Sequence, residues 1–509
     1  MNNARSLPRA SGASHAGMPL IQLLRCGLGD AWGPAGIPDP LIYNICQDSR
    51  QASAGSLFVA LRGANARGVA FTADAARRGA VAVLSDRECE TPPGVVWVKV
   101  PDARIAVSRL AAVFFGLDTV QTAGKLEAIG ITGTNGKSTI AYMVRSIFQF
   151  VGRPTALLGT IEYDLLSRRL PADLTTPDPV TLIQHMMEAH RAGARVAVLE
   201  VSSHSLDQHR TAGLKFSTSV FTNLTQDHLD YHGGFESYLR AKRRLFDGLS
   251  PDAVAIVNTD DEASEPILKH CAARVMRFGI ENPADVHATI LAETSTGCRF
   301  RIEYRDDSVT VDSALVGRHN VSNALAAAAV GLAAGIDLKN IGHGLMGLSF
   351  VPGRLQRVET HGRGYGVFVD YAHTDDALRN VLRALRPITR GRLWCVFGCG
   401  GDRDRTKRPL MARAVAEGAD GFVITSDNPR TEDPMSIIED IHHGLGTKAQ
   451  RRGIIEPDRA RAIAGAIERL SEDDTLLIAG KGHEDYQILG SKRVHFDDVE
   501  VAQAAIQRR

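Results

Sequence analysis

Short apolar runs that end in Gly, Ser, Thr or Asp alternate along the chain with Ala-rich amphipathic stretches. The runs include "SLFVAL" from Ser56, "GAVAVLSD" from Gly79, "KLEAIGIT" from Lys125, "ARVAVLEVSS" from Ala194, "DAVAIVNTDD" from Asp252, "RLWCVFGCGGDRD" from Arg392 and "DGFVITSDNPR" from Asp420. A strand followed by a helix, repeated, predicts parallel α/β layers. Open parallel sheets bind ligands at the carboxyl ends of their strands, and the polar residues cluster there. Two segments interrupt the alternation, "FGLDTVQTAG" from Phe115 and "FVPGR" from Phe350. A third, from Val286 to Val316, alternates apolar with polar positions and predicts a small antiparallel hairpin set late in the middle of the chain.

Composition narrows the class. At roughly 150 residues per domain, 509 residues suggest about three domains. A content of 44% hydrophobic and 23% charged residues is that of a folded globular chain. Lys plus Arg (59) nearly equals Asp plus Glu (58), so the net charge of +1 gives no global attraction to nucleic acid or an anionic membrane. Any acidic ligand must be held locally. The seven cysteines lack the spacing of a disulfide framework or zinc site, and Cys395 and Cys399 read as small buried residues at a strand end. That usage predicts a reducing cytoplasm. Residues 1–20 read as a polar, disordered extension without the apolar core of a secretory signal. The most apolar run, Ala324 to Ile336, is shorter than the ~20 residues a membrane span requires, so no membrane insertion is expected.

The segment "KLEAIGITGTNGKSTIAYMVRSIF" places a strand, a Gly-rich turn and an amphipathic helix in succession, the context of a phosphate-binding loop. Gly133 and Gly136 let backbone amides converge on phosphate oxygens, Lys137 adds a mobile positive charge, and the Ser138 hydroxyl suits Mg²⁺. The glycine spacing departs from the standard pattern, yet Gly-Lys-Ser at such a junction has no packing purpose. A nucleoside triphosphate is therefore expected.

Further along, Glu200 ends a strand, where its carboxylate suits a metal. The next strand runs into Asn223, Asp227, His228, Asp230, Tyr231 and His232, a density of ligand-type residues beyond what solvation needs. Lys242 lies in "SYLRAKRRLF", whose apolar stripe is Tyr238, Ala241, Leu245 and Phe246. Periodicity alone makes Lys242 an exposed helix lysine.

Taken in order, "DSR" at Asp48, "SLFVALRG" at Ser56, "GTNGKST" at Gly133, "TTP" at Thr175, "EVSSHSLDQHR" at Glu200, "FTNLTQDHLDYHG" at Phe221, "YLRAKRRLF", "GRHNVSNALAA" at Gly317, "VPGR" at Val351, "VDYAHT" at Val369, "GCGGDRDRTKRP" at Gly398, "DNPRTEDP" at Asp427 and "GKGHEDYQ" at Gly480 resemble the Mur ligases, the ATP-dependent amide-forming enzymes of peptidoglycan precursor synthesis. The resemblance runs from about Asp48 to Phe496. It implies an α/β fold of three domains: a UDP-sugar domain (21–122), a central P-loop ATPase-like domain on a parallel sheet (123–351) and a Rossmann-like amino-acid domain (352–509). "DNPR" points to the branch that adds meso-2,6-diaminopimelate, because the guanidinium of Arg430 offers a bidentate fork to a distal carboxylate that lysine lacks.

Residue by residue, the resemblance places UDP-N-acetylmuramoyl-L-Ala-D-Glu on Ser49, Ala64, Asn65, Ala66, Thr175, Thr176, Ser202, Gln208 and Arg210. It places ATP on Gly133, Thr134, Asn135, Gly136, Lys137, Ser138 and Thr139, with Asn320, Asn323, Arg354 and Asp370. Diaminopimelate falls to Arg403, Asp427, Asn428, Pro429, Arg430, Gly480 and Glu484. Lys242 corresponds to the lysine this family carbamylates, which turns an ammonium into an oxygen ligand. Ser138 and Glu200 are then expected to hold one Mg²⁺, and His228 with Lys242 a second, so Lys137, Lys242, His228 and Glu200 are the expected catalytic set. Either His373 or Glu484 is a candidate base for the incoming amine. A monomer is expected. Gln47, where an apolar residue suits the uridine site, and Asp375, where proline is common, depart from the pattern. The alternatives are a lysine-adding, a D-Ala-D-Ala-adding or a folylpolyglutamate synthase-like ligase, or a nucleotide-binding switch without chemistry. Arg430 argues against lysine, the "DSR" and "LFVALRG" segments argue against folate, and a switch has no use for Lys242 or "GKGHE".

Overall fold

The strands predicted from apolar runs assemble into three sheets, each with its parallel strands ending at a polar loop. The computed structural model describes residues 17–29, 37–62 and 68–509. Ala64, Asn65, Ala66 and residues 1–16 of the polar extension lie outside that set. Met18–Pro19 already pairs with Leu41–Ile42, and a helix, Leu20–Leu28, follows at once. The chain divides into two compact units: Met1–Glu127 with Thr176–Ala192 and His204–Lys215, and Ala128–Thr175 with Gly193–Ser203 and Phe216–Arg509.

In the first unit, four parallel strands lie side by side in chain order: Asn44–Cys46, Ser56–Val59, Ala80–Ser85 and Val96–Lys99. Two segments from the middle of the sequence are bound into this unit. Ser108, on the helix Ala103–Phe114, donates to the Arg210 carbonyl at 3.0 Å and accepts from the Gly213 amide at 2.8 Å. The helix Pro179–Arg191 begins on the Asp178 cap, and the same Asp178 oxygen accepts from Gln47 Nε2 at 3.1 Å. Gln47 departs from the expected pattern because it braces a helix start 131 residues away.

The second unit carries an 11-stranded sheet and a 6-stranded sheet. At the centre of the larger, Thr155–Leu158, Val196–Glu200, Glu127–Thr132, Thr218–Phe221, Val254–Asn258 and Arg274–Gly279 are adjacent in that order. They read as unbroken apolar runs because both faces are buried. The Ala-rich helix Arg318–Ala333 packs against the helix Lys137–Phe150, and Ala324 and Ala326 to Ala329 are all buried. Small side chains permit that close approach. The predicted hairpin set forms as Val286–Thr294, Gly297–Tyr304 and Asp307–Ser313, but it extends the same sheet, since Phe278 and Val286 pair in parallel.

The smaller sheet runs Gln356–Arg357, Gly366–Asp370, Thr475–Ala479, Leu393–Phe397, Gly421–Ile424 and Gly453–Ile455, with the last five strands parallel. Its carboxyl ends feed the loops that start at Tyr371, Gly480, Gly398 and Thr425. Cys395 and Cys399 are buried near one of these ends, and burial pushes the Cys399 thiol up to about 12. Among the described residues, no helix is long and apolar enough to cross a membrane.

Candidate active site

The strand Glu127–Thr132 delivers the chain to Gly133 with φ 146°, and Gly136 follows with φ 88°. A Cβ at Gly133 would collide with Thr222 Oγ1, and one at Gly136 would lie 2.5 Å from Asn323 Oδ1. Both positions therefore require glycine. The end of the neighbouring strand clamps the loop. Asn223 accepts from the Thr134 amide through its carbonyl and from the Asn135 amide through Oδ1, both at 2.9 Å, while Thr222 Oγ1 donates to the Asn135 carbonyl at 2.6 Å. The loop then opens the helix Lys137–Phe150, whose first amides face an anion-binding position.

Four expected residues meet at this loop. Ser138 Oγ donates to Glu200 Oε2 at 2.9 Å, and Glu200, only 1% exposed, also accepts from the Thr160 amide and hydroxyl at 2.9 Å. Lys137 Nζ donates to the carbonyls of Gly133 (3.0 Å) and Thr134 (2.7 Å). Lys242 Nζ donates to the same Gly133 carbonyl at 2.7 Å. Lys242 is 1% exposed and lies 4.4 Å from the ring centre of Tyr238, whose hydroxyl contacts Thr134 Oγ1. The reading of Lys242 as an exposed helix lysine is thus corrected, since it occupies the buried stripe one turn after Tyr238. Burial holds Lys242 well below the usual lysine range, the nearby Lys137 acts in the same direction, and Asp227 opposes both. Burial also lowers Lys137, against the pull of Glu200 and Asp227.

His228 lies beside Asp227, whose charge acts on Lys137 and Lys242. It is half exposed with φ 53°, and its Nε2 lies 3.4 Å from Asp227. Among the described residues, no three His, Cys, Asp or Glu side chains form a ready metal centre. The donor set that fits a hard cation is the bonded Ser138 and Glu200 pair.

The remaining nucleotide candidates reach the loop from two sides. Asn323 Nδ2 donates to Asn320 Oδ1, and Asn320 Nδ2 donates to the Val316 carbonyl. Arg354 Nη2 donates to Ser138 Oγ at 3.1 Å and its guanidinium sits 4.9 Å from the ring centre of Tyr371. Asp370 accepts from the amides of Leu355 (2.7 Å) and Ala372 (2.8 Å), so it fixes the Arg354 turn. Burial raises the Asp370 carboxyl above its ordinary range despite Arg354 and these bonds.

Candidates for the sugar-peptide substrate fall in both units. In the first, Ser49 is buried in a short 3₁₀ turn capped by Asp48, and Arg210 joins the Thr176 carbonyl (2.6 Å) to Gln208 Oε1 (2.8 Å). In the second, Thr175 Oγ1 contacts Thr160 Oγ1 at 3.1 Å, and Ser202 follows the Glu200 strand end.

The amino-acid candidates gather at the carboxyl ends of the smaller sheet. Arg430 adopts φ 53° and its backbone is gripped by the terminal hairpin: its amide donates to the Ile488 carbonyl and its carbonyl accepts from the Gly490 amide. Its Nη1 donates to the Gly401 carbonyl at 2.8 Å. A Cβ at Gly400 would touch both Arg430 and Arg403, so the two guanidinium-bearing chains flank that glycine. A Cβ at Gly480, whose φ is 118°, would lie 2.8 Å from Asp427 Oδ2. Asn428 Nδ2 donates to Glu484 Oε2 at 2.9 Å, and Pro429 leads directly into Arg430. His373 Nδ1 contacts the Tyr371 carbonyl at 2.8 Å. Asp375 pairs with Arg379 one turn on, a substitute for the rigid start that proline gives a helix.

Sequence reasoning passed over several supports. Arg408, 1% exposed, pairs with Glu432 (2.8 Å) and Asp440 (2.8 Å), and Glu432 also accepts from the Asp402 amide, which ties the Arg403 loop to the Arg430 loop. The hairpin Tyr486–Leu489 with Lys492–His495 was not foreseen. Lys481, inside "GKGHE", is fully buried among Asp427, Asn428 and Glu484. An interior cation between two acidic motif residues was the available signal.

Residues 41–115 match the Mur ligase family, catalytic domain; residues 131–331 match the Mur ligase middle domain; and residues 353–482 match the Mur ligase, glutamate ligase domain. The chain is 43% identical over 492 residues to the UDP-N-acetylmuramoyl-L-alanyl-D-glutamate--2,6-diaminopimelate ligase of Solibacter usitatus, covering 94% of this chain and 98% of that one. It is 42% identical to the protein of the same name from Bacillus cereus, covering 92% and 95%. A solved structure of a ligase with that name superposes with a TM-score of 0.66 at 34% identity, over 92% of this chain and 95% of the other. A folylpolyglutamate synthase from Mycobacterium tuberculosis shares the fold at 19% identity and a TM-score of 0.58, over 75% and 92% of the two chains.

Proposed function

The chain belongs to the Mur ligase family, and on that premise we propose that it is the ATP-dependent ligase joining meso-2,6-diaminopimelate to the D-Glu γ-carboxylate of UDP-N-acetylmuramoyl-L-Ala-D-Glu, a step of peptidoglycan precursor synthesis. On this reading domain 21–122 serves the sugar-peptide, 123–351 ATP and 352–509 the incoming amino acid. The observation that carries the reading is the meeting of Lys137 and Lys242 on one carbonyl beside the Ser138 and Glu200 pair, together with a loop cluster centred on Arg430.

The γ-carboxylate attacks the γ-phosphorus of ATP, ADP leaves, and an acyl phosphate results. The neutral amine of diaminopimelate then attacks the acyl carbon, phosphate departs and the amine loses a proton. Both partners of the first step are anions, so positioning and charge cancellation dominate. Lys137 supplies charge at the phosphates, the Gly133 to Thr139 amides orient them, and Arg354 closes over Ser138 from the third domain. Ser138 and Glu200 would hold Mg²⁺, which when bound offsets phosphate charge. His228 and Lys242 would serve a second ion. Lys242 would do so as a carbamate: a lysine whose ammonium form is disfavoured by burial presents a lone pair to carbon dioxide, forms an N–C bond and releases one proton. Ser49, Thr175, Thr176, Ser202, Gln208 and Arg210 bind the sugar-peptide. Arg403, Asp427, Asn428, Pro429, Gly480 and Glu484 surround diaminopimelate, and Arg430 reads its distal carboxylate.

The test is phosphate release by the purified protein with ATP, Mg²⁺ and the UDP-muramoyl dipeptide across a panel of amines. Release that requires both the dipeptide and diaminopimelate is expected. A preference for lysine would overturn the specificity, and release without any amine would point to a nucleotide switch.

A further inference from the structure

Lys481 is the most enclosed charged side chain of the amino-acid loops, with 0% exposure. Its Nζ lies 3.4 Å from Asn428 Oδ1, 3.5 Å from Glu484 Oε2 and 3.8 Å from Asp427 Oδ1. The ring of Tyr486 closes the remaining side at 5.5 Å from its centre. Asn428 is the pivot of this group. Its Oδ1 faces Lys481 and accepts from the Ile488 amide at 2.9 Å, which turns Nδ2 outward to donate to Glu484 Oε2. A cation at Lys481 therefore selects one of the two amide orientations of Asn428, since the flipped form would point its NH₂ at an ammonium.

Two carboxylates converging without a cation would repel, and each would drift from the other. With Lys481 between them, both remain beside Asn428. Glu484 Oε2 takes both contacts, with Asn428 Nδ2 at 2.9 Å and Lys481 Nζ at 3.5 Å, so one carboxylate oxygen is held on two sides.

We propose that Lys481 is the positioning residue of the amino-acid site, a buried cation that fixes the Asn428 amide and aims Glu484 and Asp427 at the ammonium of a zwitterionic amino acid. This rests on the reading of these loops as the diaminopimelate site. Lys481 acts through its neighbours and touches no reacting atom.

The test is steady-state kinetics of Lys481→Met, Lys481→Arg, Glu484→Gln and the Met/Gln double variant, with phosphate release as readout and thermal melting as a check on folding. Lys481→Met is expected to raise KM for diaminopimelate at least ~10-fold while KM for ATP and for the UDP-muramoyl dipeptide stays within about twofold, the size expected when one partner of a buried charged group is lost. Lys481→Arg should recover part of that loss. In the Glu484→Gln background, Lys481→Met should add little, since the two act as one unit. Additive penalties, or equal rises in all three KM values, would overturn the proposal. If Lys481→Met fails to fold, Lys481→Arg against Glu484→Gln decides the same point by the same additivity criterion. A wild-type protein that ignores diaminopimelate would refute the functional reading itself, a result distinct from a silent Lys481→Met.

Discussion

The phosphate loop and the amino-acid loops each bury a lysine, and they treat it in opposite ways. Lys242 meets a backbone carbonyl and an aromatic face, with another lysine on the same carbonyl. Lys481 meets two carboxylates and a side-chain amide. Burial disfavours charge in both places; Lys481 has two carboxylates within 3.8 Å, whereas Lys242 feels Asp227 against the push of Lys137. The first setting disfavours the ammonium form and suits covalent modification, whereas the second surrounds the lysine with acceptors that it can arrange. Burial alone therefore says little about what a lysine does; its acceptors decide.

Substitutions separate the two settings by size of effect. Lys242→Ala should lower kcat by at least ~1,000-fold while the protein stays folded, because the position contributes to stabilising charge in the reaction and the stripe around it is apolar. Near-normal turnover in that variant would remove the carbamate role. On the other side, Arg430→Lys should lower kcat/KM for diaminopimelate relative to lysine by roughly 100-fold, since an ammonium lacks the two-pronged match to a carboxylate. Competition between the two amines in one vessel reads that ratio directly.

His483 lies in the same motif as Lys481, and its ring is tilted 45° against, and centred 5.0 Å from, that of Tyr371, which also carries Arg354. Among the described residues its Nδ1 is buried without a hydrogen-bond partner, and burial, reinforced by Arg354 and opposed by a bond to the Thr160 backbone, pushes the imidazole down to about 3. In the unfolded chain the same group titrates near ~6.5, so between these values the unfolded state binds the extra proton and stability falls as pH falls. This contribution is present in full above the unfolded value and is lost progressively toward about 3. Denaturant melts of wild type and His483→Gln should show a slope smaller in the variant by on the order of 1 kcal/mol per pH unit around pH 5. The smallest effect belongs to Gln47→Leu. It removes one bond to the Asp178 cap, while the Val180 and Thr181 amides still bind that carboxylate, so the loss should stay below ~1 kcal/mol in the same melts.

Much of this architecture was legible in the sequence because the physics that sets it is local. Apolar runs buried on both faces read as parallel strands, and Gly133, Gly136 and Lys137 announce a phosphate loop through conformational demands that few other residues meet. Lys242 was half legible: Tyr238, Ala241, Lys242, Leu245 and Phe246 follow helical spacing, so a lysine stood on a buried stripe, and only the neighbouring strand's loop shows why. The bond from Gln47 to Asp178 spans 131 residues and leaves no local trace. The same holds for the positive φ of Arg430, imposed by a hairpin some 60 residues on, and for Lys481, whose partners come from two separate loops. His228 was named by a dense polar motif, and it lies beside Asp227, whose charge acts on both Lys137 and Lys242.

The contrast between the two lysines can be tested in a single spectrum. Protein equilibrated with carbon-13 bicarbonate and examined by carbon-13 NMR should give one carbamate resonance, present in wild type and in Lys481→Arg and absent from Lys242→Ala. A resonance that survives Lys242→Ala, or none in wild type, would contradict the account.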